Sequence, residues 1–190
     1  MESNKDNINH IWERMKTGDE QCLSKIFIAF YSDMCQYGIK LFNSIDLVND
    51  SIQDVFLRIW EKRDTLGNVQ NLRAYLFASL RRMIFNNKKE FFNTSSLTSM
   101  KSDKEDNFLF SSDEFLASDE ISVLLRQTLT NTINHLPEKQ RELVFLRFYH
   151  KLSYRDCAVI MEIKEQTVRN LMQRALSKFR EQMDPDLWFD

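Results

Sequence analysis

The sequence predicts an all-α protein in which two small helical domains are joined by a flexible linker. Only 3 Gly and 2 Pro occur in 190 residues, so few positions break a helix. Apolar residues recur every three or four positions in two regions, and a polar, acidic stretch separates these regions. The predicted boundaries are a first domain at 1–92, a linker at 93–118 and a second domain at 119–190.

The first predicted domain contains four helices. The stripe of the first helix consists of Ile8, Ile11, Trp12 and Met15. Asp19 is the predicted N-cap of the second helix. The third helix is predicted at 47–62 and the fourth at 72–91, with a break at 64–71 that contains Gly67. The inward side chains predicted for the fourth helix are Leu72, Leu76, Leu80, Met83 and Ile84.

The predicted linker is rich in Ser and acidic residues. Residues 101–120, which end two residues beyond it, include seven acidic residues and two lysines. Low periodicity and high charge are typical of a flexible connection. Five apolar side chains interrupt it and could dock on a domain or a partner: Phe108, Leu109, Phe110, Phe115 and Leu116.

The second predicted domain ends in a helix-turn-helix at 153–181. Pro137 begins a helix, Ser153 and Asp156 form a capping box, and 162–164 make a turn between helices at 154–161 and 165–182. Inward positions on the last helix are Val168, Met172, Ala175, Leu176 and Phe179. The outward set is Gln166, Thr167, Arg169, Asn170, Gln173, Arg174 and Lys178. Arg, Gln and Asn side chains are those that read base edges in a DNA major groove.

The charge of the chain is uneven. The net charge is −2, but residues 137–182 contain ten basic and six acidic residues. Local positive charge favours phosphate contacts. The pattern alone also fits an ordinary amphipathic helix pair with a solvated face.

Three stretches, in order, carry a family resemblance: 50–63 (DSIQDVFLRIWEKR), 71–89 (NLRAYLFASLRRMIFNNKK) and 136–181, which contains the helix-turn-helix. In these stretches the chain resembles the extracytoplasmic-function (ECF) sigma factors of bacterial RNA polymerase. The chain differs from many family members at Leu171 and Leu176, where they carry basic residues. The resemblance therefore does not decide whether these two positions contact DNA.

The resemblance implies roles for individual residues. Polymerase binding is implied for Asp50, Gln53, Asp54, Leu57 and Arg58. Contacts with the −10 promoter element are implied for Asn68, Asn71, Arg73, Tyr75, Arg81, Arg82, Asn86 and Lys88. The loop at 64–71 would hold a flipped base, and the last helix would read the −35 element. Basic residues interleaved with aromatic ones suit a melted strand. Tyr75, Phe77 and Phe85 fit either the core or a DNA-facing surface.

The sequence thus predicts a sigma factor that binds core RNA polymerase and promoter DNA, and that directs transcription initiation. It also predicts no enzymatic activity, cofactor or metal site, an anti-sigma factor as partner, a monomer when free and a cytoplasmic location without membrane insertion. The thiols of Cys22, Cys35 and Cys157 are expected to be reduced, and His150 near Cys157 to be packed rather than to bind zinc. The alternatives are a stand-alone helix-turn-helix regulator, which would need a dimer, and a helical adaptor without DNA binding.

Overall fold

The computed structural model describes residues 2–94, 108–111 and 123–182. The chain divides into two compact units, at 1–103 and 104–190. Within the described ranges the regular elements are all helical, and no strand occurs. The predicted all-α fold class is confirmed.

The first unit is built from four α-helices and one short 3-10 turn. The α-helices are α1 (Glu2–Lys16), α2 (Glu20–Leu41), α3 (Ile45–Glu61) and α4 (Leu72–Thr94). The 3-10 turn at Arg63–Thr65 lies in the predicted break between α3 and α4. The α4 helix continues to Thr94, past the boundary predicted at 92, since neither Gly nor Pro interrupts it.

Side-chain caps fix where three of these helices begin. Asp19 Oδ1 accepts a hydrogen bond from the Cys22 backbone N–H at 3.2 Å, which confirms the predicted cap of α2. Ser44 caps α3 through Leu47 N at 3.4 Å, so this helix starts earlier than the apolar pattern predicts. Asn71 Oδ1 accepts from Ala74 N at 3.3 Å at the start of α4.

The core of the first unit is built from all four α-helices, and α1 contributes the buried side chains of Trp12 and Met15. The five inward side chains predicted for α4 are all buried. Tyr37 and Phe77 stack with ring centroids 5.0 Å apart. Gly38 permits a close approach of α2 and α3, because a Cβ added there would lie 2.6 Å from Val48 Cγ1.

The second unit is also helical. Its elements are α5 (Val123–Asn134), α6 (Glu138–Val144), a π-helix (Phe145–Tyr149), α7 (Tyr154–Met161) and α8 (Glu165–Gln182). The sequence predicts one continuous helix through Phe148, whereas α6 gives way to the π-helix at Phe145. The bounds of α7 and α8 agree with the prediction.

A buried arginine closes the end of α5. Arg141 is 2% exposed, and its Nη1 donates to the carbonyls of Asn134 at 2.7 Å and Leu136 at 2.6 Å. These carbonyls stand at the helix end, where no intrahelical donor is available. Burial lowers the pKa of Arg141 from its usual value.

Residues 108–111, which fall inside the predicted linker, pack on the second unit. Phe108 and Phe110 are buried, with ring centroids 5.6 and 5.9 Å from that of Phe145. Asn134 holds the backbone of Phe110 from both sides. Its Oδ1 accepts from Phe110 N at 2.8 Å, and its Nδ2 donates to Phe110 O at 3.0 Å. The rest of the predicted linker beyond Thr94, with Phe115 and Leu116, lies outside the described residues.

Candidate nucleic-acid interface

The helix-turn-helix is set by hydrogen bonds at the start of α7 and by a left-handed residue at its end. Ser153 Oγ accepts from Asp156 N at 3.1 Å, and Asp156 Oδ2 accepts from Ser153 N at 3.2 Å, which completes the predicted capping box. Glu162 ends the helix with φ 54°, a conformation in which a side chain is strained. The turn at 162–164 then leads into α8.

The α8 helix has a narrow buried face. Val168, Met172 and Ala175 are buried, and from α7 Cys157 and Ile160 are buried as well. Leu176 and Phe179 are also predicted from sequence to lie on this inward face. That is wrong for Leu176, which is 37% exposed, because the buried stripe is narrow and passes through its neighbour Ala175. Phe179 is half-buried.

The opposite face of α8 carries the polar side chains predicted to point outward. Six of them are exposed: Gln166, Thr167, Arg169, Asn170, Gln173 and Arg174. Lys178 is half-buried. Gln166 Nε2 donates to Asn170 Oδ1 at 3.0 Å, one turn further along. The exposed set forms a ridge of donors and acceptors on a single helix, which is the shape that a major groove admits.

The positive charge of this region lies on its surface. Of the basic and acidic residues between 137 and 182, Arg141 and Glu142 are buried and the others are exposed or half-buried. One cation and one anion are thereby withdrawn from the surface, so the basic excess of the segment is kept where DNA phosphates could reach it.

Tyr154, the first residue of α7, lies beside two guanidinium groups. The Cζ atom of Arg147 is 5.3 Å from the centroid of its ring, and that of Arg169 is 5.1 Å away. Arg169 Nη2 also contacts Glu165 Oε1 at 2.5 Å. Tyr154 is not among the site residues predicted from the sequence. The one sequence signal for it is an aromatic side chain directly after the capping Ser153.

The α3 helix presents a mixed polar and apolar surface. Asp50, Gln53, Leu57 and Arg58 are exposed, and Asp54 is half-buried. Leu57 is 59% exposed on this surface. The buried residues of the same helix, among them Ile52, Val55 and Ile59, point into the core. The five side chains implied for polymerase binding therefore share the outer face of α3.

The residues implied for the −10 element divide into two groups. Asn68, Arg82 and Asn86 are exposed, and Arg81 is half-buried with its Cζ 4.8 Å from the Phe85 ring centroid. The side chain of Lys88 lies outside the described residues.

Three more side chains of that set have contacts within the first unit that can be named. Asn71 caps α4, and Arg73 Nη2 forms an ion pair with Asp33 Oδ2 at 2.8 Å. Tyr75 is half-buried, with its ring 5.7 Å from that of Trp12. Burial raises the pKa of Tyr75 from its usual value. Asp33 could not be predicted from the sequence as part of this surface, because an acid on α2 gives no signal of its partner on α4.

The aromatic side chains of α4 differ in their surroundings. Phe77 is fully buried against Tyr37, so it belongs to the core. Phe85 is 37% exposed beside Arg81. Of the two, Phe85 has a surface open to a ligand.

The cysteine and histidine side chains of the described residues are not gathered into a metal site. Cys22, Cys35 and Cys157 are free thiols. Burial raises the pKa of Cys157 to about 12. His150 is buried with its ring edge-on to Phe145 at 4.9 Å. Among the described residues no cluster of three metal-ligating side chains occurs, and none of the described helices is long and apolar enough to cross a membrane.

Comparison with known proteins gives concordant results. Residues 126–179 match the family model of sigma-70, region 4. The chain is 25% identical over 181 residues to the RNA polymerase sigma-H factor of Pseudomonas aeruginosa, covering 91% of this chain and 92% of that protein. It is 24% identical over 185 residues to the ECF RNA polymerase sigma-E factor of Escherichia coli K12, with the same coverage.

Two solved structures share the fold. CnrH in complex with the cytosolic domain of CnrY has a TM-score of 0.59 at 15% identity, over 91% of this chain and 94% of that one. The sigma factor RpoE in complex with the anti-sigma factor NepR from Bartonella quintana has a TM-score of 0.55 at 22% identity, over 83% and 94%.

Most of the helix-turn-helix lies within residues 126–179, the stretch that matches sigma-70, region 4. Over most of its length the chain is similar to ECF sigma factors, and these findings together support a sigma factor that directs transcription. Sigma factors are non-enzymatic initiation factors that act with RNA polymerase. The stand-alone regulator and the adaptor are not favoured.

Proposed function

We propose that this sigma factor reads the −35 element by placing α8 in the major groove. The observation that carries the proposal is the division of α8 into a buried face and an exposed polar ridge. Gln166, Arg169 and Gln173 lie on that ridge, while Val168 and Met172 hold the helix to its unit. Arg can donate two hydrogen bonds to guanine, and Gln or Asn can pair with adenine.

The outer face of α3 is the proposed contact with core RNA polymerase. It combines exposed carboxylates and an arginine with the apolar side chain of Leu57. A mixture of apolar and polar groups suits an interface that forms and dissolves in each transcription cycle. Asp54→Ala is expected to reduce holoenzyme formation without unfolding the chain.

For the −10 element we propose a narrower set of contacts than the resemblance implies. Asn68, Arg82 and Asn86 are exposed and available to a melted strand. Asn71, Arg73 and Tyr75 shape this surface instead, by capping α4 and by contacts with Asp33 and Trp12. The loop between α3 and α4 is the proposed pocket for a flipped base.

The remaining parts of the proposal concern organisation and partners. Residues 1–92 would serve polymerase and the −10 element, and the second domain the −35 element, with the chain between them as connector. The protein would be monomeric when free and act in the cytoplasm, where RNA polymerase works, with no enzymatic activity or cofactor of its own. An anti-sigma factor is a proposed partner, supported by the similarity to RpoE, whose solved structure contains one.

The proposal is tested by competitive binding of holoenzyme to a library of −35 sequences. Arg174→Ala should weaken discrimination at one base-pair position by about 1–3 kcal/mol. Arg180→Ala is the matched control, since Arg180 is exposed on the last turn of the same helix. An equal loss on every sequence for Arg174→Ala would show a phosphate contact. Specific binding that does not depend on polymerase would instead favour a stand-alone regulator.

A further inference from the structure

At the start of α7, the side chain of Tyr154 lies against Arg169, one of the outward side chains of α8. Tyr154 is half-buried and is the first residue of α7, directly after the capping Ser153. The guanidinium of Arg169, which lies on the exposed ridge of α8, is within 5.1 Å of the Tyr154 ring centroid. The α7 helix therefore contributes to the recognition surface without itself carrying the ridge.

A second guanidinium, that of Arg147, also lies beside the ring of Tyr154. Arg147, on the π-helix, lies with its Cζ 5.3 Å from the same ring centroid. Arg147 Nη1 donates to the Leu152 carbonyl at 3.1 Å, so this guanidinium is anchored to the loop before α7. Attraction between a cation and the electron-rich face of the ring acts on both arginines. The Tyr154 ring therefore lies between α8 and a guanidinium that is itself hydrogen-bonded to the backbone.

Arg169 has one further restraint, which comes from its own helix. Its Nη2 contacts Glu165 Oε1 at 2.5 Å, one turn earlier in α8. A guanidinium has five N–H donors, so one contact with a carboxylate leaves donors for a base edge. Arginine has large rotamer freedom, and the restraints from the ring and the carboxylate remove part of it before DNA is bound.

We propose that Tyr154 is a positioning residue that holds the Arg169 guanidinium in the orientation in which it reads a −35 base pair. The inference rests on the proposed function of α8. The aromatic ring, and not the hydroxyl, orients Arg169, because the ring is the group that faces the guanidinium. The consequence is that base discrimination depends on a residue that lies in α7.

The test uses holoenzyme assembled from the full chain and core polymerase, with a library of −35 sequences. The variants are Tyr154→Leu, Tyr154→Phe, Arg169→Ala and the double variant Tyr154→Leu/Arg169→Ala. Tyr154→Leu should lower discrimination about two- to fivefold, at the same base-pair position that Arg169→Ala affects. Tyr154→Phe keeps the ring and should retain discrimination. The double variant should discriminate no worse than Arg169→Ala alone, because the two residues act as one unit.

Several results would overturn the inference. A uniform loss across the library for Tyr154→Leu would show a phosphate contact or a folding defect, and thermal unfolding of the variant separates these two. A loss in Tyr154→Phe as large as in Tyr154→Leu would assign the effect to the hydroxyl. If Arg169→Ala loses discrimination but Tyr154→Leu does not, only the positioning role fails. If Arg169→Ala itself shows no position-specific loss, the assigned role of Arg169 in α8 fails first.

Discussion

The α4 and α8 helices are both long and rich in polar side chains, but they use these side chains differently. Between 72 and 87, α4 buries eight residues, whereas α8 buries three between 165 and 181. A broad buried arc brings polar residues at its margins into contact with neighbouring helices, as Arg73 meets Asp33. A narrow arc leaves the opposite ridge exposed. Polar residues on a helix are therefore a better guide to a ligand surface when the helix is packed along one stripe.

The largest expected effect is on stability, and it differs between Phe77 and Phe85, two phenylalanines of α4. Phe77→Ala should destabilise the first unit by about 3–5 kcal/mol, because it empties a buried site stacked against Tyr37. Phe85→Ala should cost much less, since this ring is more than a third exposed. Chemical denaturation of both variants measures the difference. Equal losses would contradict the division of α4 into a core side and an open side.

A second test concerns Asn134, a polar side chain of the second unit that is hydrogen-bonded to the backbone of Phe110. Asn134→Asp keeps the acceptor for Phe110 N but places a carboxylate oxygen against the Phe110 carbonyl. We expect a loss of about 1–3 kcal/mol near pH 7. Repulsion raises the folded-state pKa of the new carboxyl, so the penalty should shrink as pH falls towards about 4, where the protonated acid can donate.

Denaturation of Asn134→Asp at two pH values measures this penalty. Asn131→Asp is its control, because Asn131 is exposed on the same helix. Faster hydrogen exchange of the Phe110 amide in Asn134→Asp alone is also expected. If both variants behave alike, residues 108–111 are not held by Asn134, and the second unit needs no part of the predicted linker.

The third prediction tests the backbone that positions α7 and, through it, α8. Lys151 has φ 54°, which costs a side-chain-bearing residue about 1 kcal/mol. Lys151→Gly should therefore stabilise the second unit by up to about 1 kcal/mol. Lys139→Gly makes the same change within α6 and should destabilise it. Melting temperatures that move in the same direction for both variants would refute the backbone explanation.

The smallest expected effect on stability is that of Arg73, which is compared with Arg82 on the same helix. Arg73→Gln removes a partly exposed ion pair with Asp33 and should cost about 0.2–1 kcal/mol of stability. Arg82→Gln should weaken promoter binding and reduce its salt dependence by about one phosphate contact, whereas Arg73→Gln should leave that salt dependence unchanged. Denaturation and salt-titrated binding of the holoenzyme measure the two effects. The reverse pattern would assign Arg73, and not Arg82, to DNA.

Much of the fold could be predicted from sequence because local rules governed it. The cap at Asp19, the capping box at Ser153 and the bounds of α7 and α8 depend on residues within one or two helical turns of each other. Periodicity also identified the inward side chains of α4. The exposed ridge of α8 follows from the same rule, since its complement is the buried stripe.

Contacts between distant residues were decided only by the tertiary structure. Arg73 meets Asp33, Asn134 meets Phe110, and Tyr154 meets Arg169. Each pair involves a polar or aromatic side chain whose partner is set by how helices pack. The sequence by itself determined that the chain is helical and which face of α8 is polar, because helix period and caps are local. Which polar side chains remain open to DNA depended on long-range packing, for which no short stretch of sequence carries the signal.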